Sequence, residues 1–87
     1  MKKYELVSDL TTDCDGKTLY RIRALTSFSD VKAGDLGGWI EKEHCLSQFG
    51  DAWVYDNARV SGNAKVSGDA RVSGDAEVYG DALVSGN

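Results

Sequence analysis

The chain has 87 residues, a net charge of −4, two cysteines and no proline. That length allows one small domain, and the lack of a long apolar run or a signal-peptide pattern argues against a membrane protein and for a soluble cytoplasmic one. Residues 1–49 hold seven Lys or Arg and eight acids, residues 50–87 hold three and six, so neither half makes a basic patch and nucleic acid is not an expected partner.

Residues 3–7 (Lys-Tyr-Glu-Leu-Val) read as a strand. Residues 8–17 form a polar loop that carries Asp15-Gly16, a strong turn signal. Residues 18–25 alternate, with Tyr20, Ile22 and Ala24 on one side and Leu19, Arg21, Arg23 and Leu25 on the other. The expectation is an antiparallel pair joined by that loop. Residues 34–41 look like a tight turn entering a short strand. No stretch has a helical period, and residues 41–44 allow one helical turn at most. Cys14 and Cys45 form no CxxC. They read as reduced structural thiols, with a disulfide still open.

From Gly50 onward one phrase of six residues repeats. Gly-Asp-Ala-Trp-Val-Tyr is followed by Asp-Asn-Ala-Arg-Val-Ser, Gly-Asn-Ala-Lys-Val-Ser, Gly-Asp-Ala-Arg-Val-Ser, Gly-Asp-Ala-Glu-Val-Tyr and Gly-Asp-Ala-Leu-Val-Ser. Ala and Val recur with period two, so they share one face and the variable residues take the other. Gly with Asp or Asn turns each corner, because both tolerate positive φ. Asp56 stands where the other corners have Gly and is the weakest link. Tiny hairpins and a parallel solenoid both fit this pattern. Isolated four-residue hairpins are marginal, whereas an unchanging phase suits layers stacked in register, so the solenoid is expected.

Val66-Ser67-Gly68-Asp69-Ala70-Arg71 resembles the hexapeptide repeat of left-handed parallel β-helix proteins. The resemblance implies a triangular coil of three hexads, with Val54, Val60, Val66, Val72, Val78 and Val84 inside. Ala52, Ala58, Ala64, Ala70, Ala76 and Ala82 are inside too. Residues eighteen apart then stack about 4.8 Å from each other. Trp53 lies on Arg71 as a cation–π pair, Arg59 on Glu77 as an ion pair, and Ser61 on Tyr79. Asp51 on Asp69 is mildly repulsive, which Asn57 on Asp75 and Asn63 on Asp81 avoid. Residues 1–49 resemble the opening of bacterial and phage solenoid proteins, which implies an N-terminal cap. The expected fold is therefore all-β: a small β-rich cap (1–49) followed by a two-coil left-handed parallel β-helix (50–87).

Hexapeptide-repeat proteins are best known as acyltransferases with a histidine base. Here the one histidine, His44, precedes the repeat, and a base must reach the proton it takes. A calcium loop starting at Asp13 would need an acid where Ala24 stands. Gly34–Gly38 lacks the Lys-Ser/Thr of a phosphate loop. No catalytic residue, metal or cofactor is expected.

The remaining signals concern binding. Trp39 and Phe49 read either as interface anchors or as seals between cap and first coil. Tyr55 and Tyr79 take outward positions and are interface candidates. Asp69, Asp75 and Asp81 either form an acidic stripe for a basic partner or simply make corners. The repeat stops in mid-phrase at Gly86-Asn87, and Leu83 is apolar where other hexads carry Trp, Arg, Lys or Glu. Leu83 and Val84 are thus expected to meet a second copy at an uncapped coil. The function expected is a non-catalytic protein–protein interaction module that forms a homodimer through its last coil and binds a further protein. Two other readings stand beside it: a phage or prophage inhibitor of a host defence protein such as a CRISPR effector, and the remnant of a hexapeptide-repeat acyltransferase.

Overall fold

The computed structural model describes residues 2–14 and 16–86, without the side chain of Cys14. Strands β1 (Tyr4–Cys14) and β2 (Lys17–Ala24) form an antiparallel hairpin that closes at the Cys14↔Lys17 pair. Gly16 sits in the turn at φ 80, while Asp15 lies outside the described residues. The polar stretch 8–17 is therefore mostly strand and not the expected loop. β1 is an edge strand of the sheet, where polar residues can face water. The register jumps from Val7↔Arg21 to Thr11↔Tyr20, so residues 8–10 are accommodated as a bulge. Ile22 and Ala24 are buried and Tyr20 is half-buried, but Leu19, expected on the opposite face, is fully buried too, so burial does not follow the alternation throughout.

Strand β3 (Leu36–Ile40) joins two kinds of structure. One edge pairs antiparallel with β2 (Tyr20↔Ile40), the other parallel with β5 (Arg59–Val60; Ile40↔Val60). Gly37 and Gly38 make this approach possible. A Cβ on Gly37 would lie 2.6 Å from the Val54 carbonyl oxygen and 2.7 Å from Ile22 Cγ1, and one on Gly38 would lie 2.6 Å from the Ala58 carbonyl oxygen. A 3₁₀ turn, Glu43–Cys45, follows, and Leu46 then bridges to Val66 in parallel.

The repeat is a parallel β-solenoid. β4 (Trp53–Val54) pairs with β7 (Arg71–Val72), β5 with β8 (Glu77–Val78), and β6 (Lys65–Gly68) with β9 (Leu83–Gly86). Every pairing is parallel and every partner is eighteen residues on, as in Val54↔Val72, Val60↔Val78 and Val66↔Val84. Each corner turns on a residue of positive φ. Asp56 adopts φ 58 and adds a bond, since its carboxylate accepts from the Gly74 N–H at 3.3 Å. The odd corner is thus secured by the side chain that glycine lacks.

The core is continuous from cap to coil. Tyr4, Ile22 and Ile40 pack in one cluster with Ala52, Val54, Ala58, Val60, Ala64 and Val66. The twelve Ala and Val residues expected inside do not all end up covered. Ala70 and Val72 are buried, Val78 and Val84 are half-buried, and Ala76 and Ala82 are exposed. Among the described residues, the last coil has a layer above it and none below.

Three further expectations change. Trp53 does pair in register with Arg71, but not on an open face. It is 1% exposed, edge-on to Tyr4 and Phe28, because the cap drapes over that side of the coil. Phe49 is 84% exposed and seals nothing. Arg59 and Glu77 do pair, at 3.6 Å. At the corner above Asp69, the Asp51 N–H donates to the Asp69 carboxylate at 3.4 Å. Lys3 is a buried cation in the seam. Its ammonium donates to the Ala52 and Gly50 carbonyls and lies 4.9 Å from the Phe28 ring, and burial lowers its pKa.

Candidate interaction surface

Among the described residues, strands β7, β8 and β9 are each paired along one edge only. Their other edges present unpaired backbone donors and acceptors around half-covered apolar side chains. Val84 and Val78 are half-buried here. Leu83 is 73% exposed and Tyr79 69% exposed. Three of the candidate residues, Tyr79, Leu83 and Val84, thus belong to one open coil, and exposed Ala76 and Ala82 extend its apolar area.

The acids do not gather into a stripe. Asp69 lies between β6 and β7, Asp75 between β7 and β8, and Asp81 between β8 and β9, one at each corner of the coil. The Asp81 carboxylate accepts from the Asn63 amide at 3.4 Å. Asp69 and Asp81 thus serve the corners, and no single face collects the three charges.

Tyr55 is half-buried and occupied. Its hydroxyl donates to Asp30 at 2.8 Å, and its ring lies 6.0 Å from the Arg71 guanidinium. Arg71 in turn donates to Ser29 at 2.9 Å and lies 3.8 Å from Asp30. This cluster latches the connection between β2 and β3 onto the coil. Burial and then the Asp30 bond raise the Tyr55 pKa. Only Tyr55 and Arg71 sit in the repeat, so sequence periodicity carried no sign of their partners.

His44 is exposed, with Nε2 3.3 Å from the Gly62 carbonyl oxygen. Among the described residues no carboxylate or hydroxyl bonds its ring. Cys45 is a buried free thiol whose pKa is raised, first by burial. Among the described residues no three His, Cys, Asp or Glu side chains group as metal ligands, and no helix is long and apolar enough to cross a membrane.

One cluster escaped the sequence reading. The registers line up Val7, Arg21, Trp39, Arg59 and Glu77 as a single row across five strands. The Arg21 guanidinium lies 5.0 Å from the Trp39 ring centroid. Alternation placed Arg21 and Arg23 on one face, but only strand order could bring Trp39 and Arg59 beside them.

A family model described as the YdcK β-solenoid repeat matches residues 52–65. The uncharacterized acetyltransferase YdcK of Escherichia coli (strain K12) is 44% identical over 43 residues, which are 49% of this chain and 13% of that protein. The chain thus corresponds to a small part of the length of that relative.

Proposed function

We propose that this chain, a β-solenoid of the hexapeptide-repeat superfamily, is a non-catalytic interaction module that joins a second copy of itself through its last coil. One observation carries the reading. Ala58, Val60, Ala64 and Val66 are fully buried in the upper coil, while their counterparts Ala76, Val78, Ala82 and Val84 are exposed or half-buried, with Leu83 73% exposed beside them. A second copy fits this rung because the rung is self-complementary. Its apolar strip can meet the same strip, and the free edge of β9 can pair with another β9 about a two-fold axis.

The relative's name suggests acyl transfer instead. His44 is a poor base for it, since its ring bonds a backbone carbonyl and stands outside the repeat. Sedimentation equilibrium across micromolar concentrations tests the dimer. Wild-type protein should show a concentration-dependent dimer, and Leu83→Lys should move it toward monomer by at least about tenfold in Kd. A wild type that stays monomeric at high micromolar concentration refutes self-association and leaves the rung to a different protein. Saturable heat of acetyl-CoA binding in calorimetry would refute the non-catalytic reading.

A further inference from the structure

The upper end of the coil is closed on its three sides by different means. β3 covers β5, and Leu46 bridges to Val66 on β6, so backbone lies above two of the sides. β4 is different. Among the described residues it pairs with β7 below and with no strand above. One rung down, the same positions show what a strand above supplies. The Gly68 carbonyl accepts the Ala52 N–H at 2.9 Å, and the Ala70 carbonyl accepts the Trp53 N–H at 3.1 Å. Gly50 and Ala52 stand eighteen residues earlier, at the same points of the coil. Their carbonyls accept instead from the Lys3 ammonium, at 3.3 and 2.7 Å. One side chain thus takes the place of two backbone donors. Gln48 holds it there, since its Oε1 accepts the Lys3 N–H at 2.7 Å and the Tyr4 N–H at 3.3 Å. Lys3 is 5% exposed, and among the described residues no carboxylate forms an ion pair with it; the charge of Asp51 acts on it at longer range. Burying an ammonium in this way is unfavourable, and a methionine would fill much the same space. What the cation adds is donors at a strand edge, and a buried lysine is one of the devices that keep such an edge from pairing.

We propose that Lys3 is an autoinhibitory edge lock, which occupies the upper acceptors of β4 and so keeps a strand of another copy from adding there. The strand it excludes is β7. Within one molecule the Trp53 N–H bonds the Ala70 carbonyl. Arg71 is the register partner of Trp53, and its N–H on the open edge of β7 would stand to Ala52 of another copy in the same relation. A contact of lower rung to upper rung is head-to-tail. It repeats without closing and leads to filaments, whereas a two-fold contact stops at two. With Lys3 in place only the lower end of the coil is open to strand addition. The inference concerns the opposite end from the proposed dimer contact and does not depend on it.

The test is sedimentation velocity at high micromolar concentration, with circular dichroism to establish that each variant is folded. Wild type should go no further than a dimer. Lys3→Met keeps the stem and drops the donors. Its weight-average mass should exceed that of wild type by at least about twofold and fall again on dilution. Lys3→Arg restores donors and should bring the mass back toward wild type. Lys2→Met removes the same charge from the exposed neighbouring lysine and should leave the mass unchanged. If Lys3→Met does not fold, Lys3→Gln, with a shorter and uncharged side chain, carries the same expectation. A folded Lys3→Met chain that keeps the wild-type mass, equal growth in Lys2→Met, or a wild type that itself grows past the dimer would each overturn the proposal. A monomeric wild type beside a growing Lys3→Met would refute the dimer and support the lock.

Discussion

Residues 53–68 and 71–86 carry the same phrase and pair strand for strand, yet they live in different environments. Val60 and Ala58 are 0% exposed, while their counterparts Val78 and Ala76 are half-buried and exposed. Identical hexads therefore do not have identical energetics. Burial in a solenoid belongs to the stack, since each rung is covered only by its neighbours. The upper coil lies between the cap and the lower coil. Among the described residues, the lower coil has one neighbour.

The largest test of this difference is a charge placed at matched positions. Val66→Asp should cost about 4 kcal/mol or more, because an unpaired carboxylate would enter a sealed core. Val84→Asp should cost about 1 kcal/mol in the monomer, since water reaches that site. Thermal melts at low protein concentration compare the two. Equal losses would mean that the lower coil is as closed as the upper one.

A finer comparison uses two glycines with the same backbone. Gly68 and Gly80 both have φ 67. A Cβ on Gly68 would lie 2.6 Å from the Gly86 carbonyl oxygen, whereas one on Gly80 meets nothing within 4 Å. Alanine should therefore cost about 1 kcal/mol at Gly80 from the left-handed backbone alone. Gly68→Ala should cost at least about 2 kcal/mol more, as backbone has to shift. The difference in denaturant midpoint reads the stacking directly. Equal costs would show that the coils are not packed corner on corner.

The smallest effect is in alkali, and it belongs to the covered half. Burial raises the pKa of Cys45 from 9.0 and that of Tyr4 from 10.0. Below pH 9 both groups are neutral in the folded and unfolded chain, so they leave stability flat. Above their ordinary values the unfolded chain ionises first, and stability falls as pH rises. Lys3, whose pKa burial lowers, acts in the opposite sense and offsets part of the loss. Melting temperatures between pH 7 and pH 10.5 should decline from about 9 in the wild type. In Cys45→Ala the decline should start about one unit later. An unchanged onset would place the cause elsewhere.

Most of the architecture was legible in the sequence because a six-residue period leaves few choices. The inward Val and Ala columns, the eighteen-residue step and the Arg59–Glu77 pair all follow from it. What periodicity cannot carry is contact between non-repeating segments. Trp53 occupies a variable, outward position, and only the path of residues 26–33 decides that Phe28 covers it. The fate of Arg71 likewise depends on Ser29 and Asp30, which sit in a connection without pattern. The length of β1 was hidden for a different reason. Its polar residues resemble a loop, and an edge strand tolerates them. At the candidate surface, Leu83 stood out by breaking the charged column, whereas the spread of Asp69, Asp75 and Asp81 over three corners required the triangle itself.

Strand β3 makes the two halves one molecule, and it also gives folding a direction. The β1–β2 hairpin closes locally at Cys14 and Lys17, so it can form early. β3 adds to it antiparallel and then offers a ready parallel template to β5. From there each rung lies eighteen residues from the one it joins, as Trp53 does from Arg71. Loop closure depends on that distance and not on how many rungs are already in place. Every added layer therefore meets the same entropic toll, and the chain can zip from its cap downward without a barrier that grows with length.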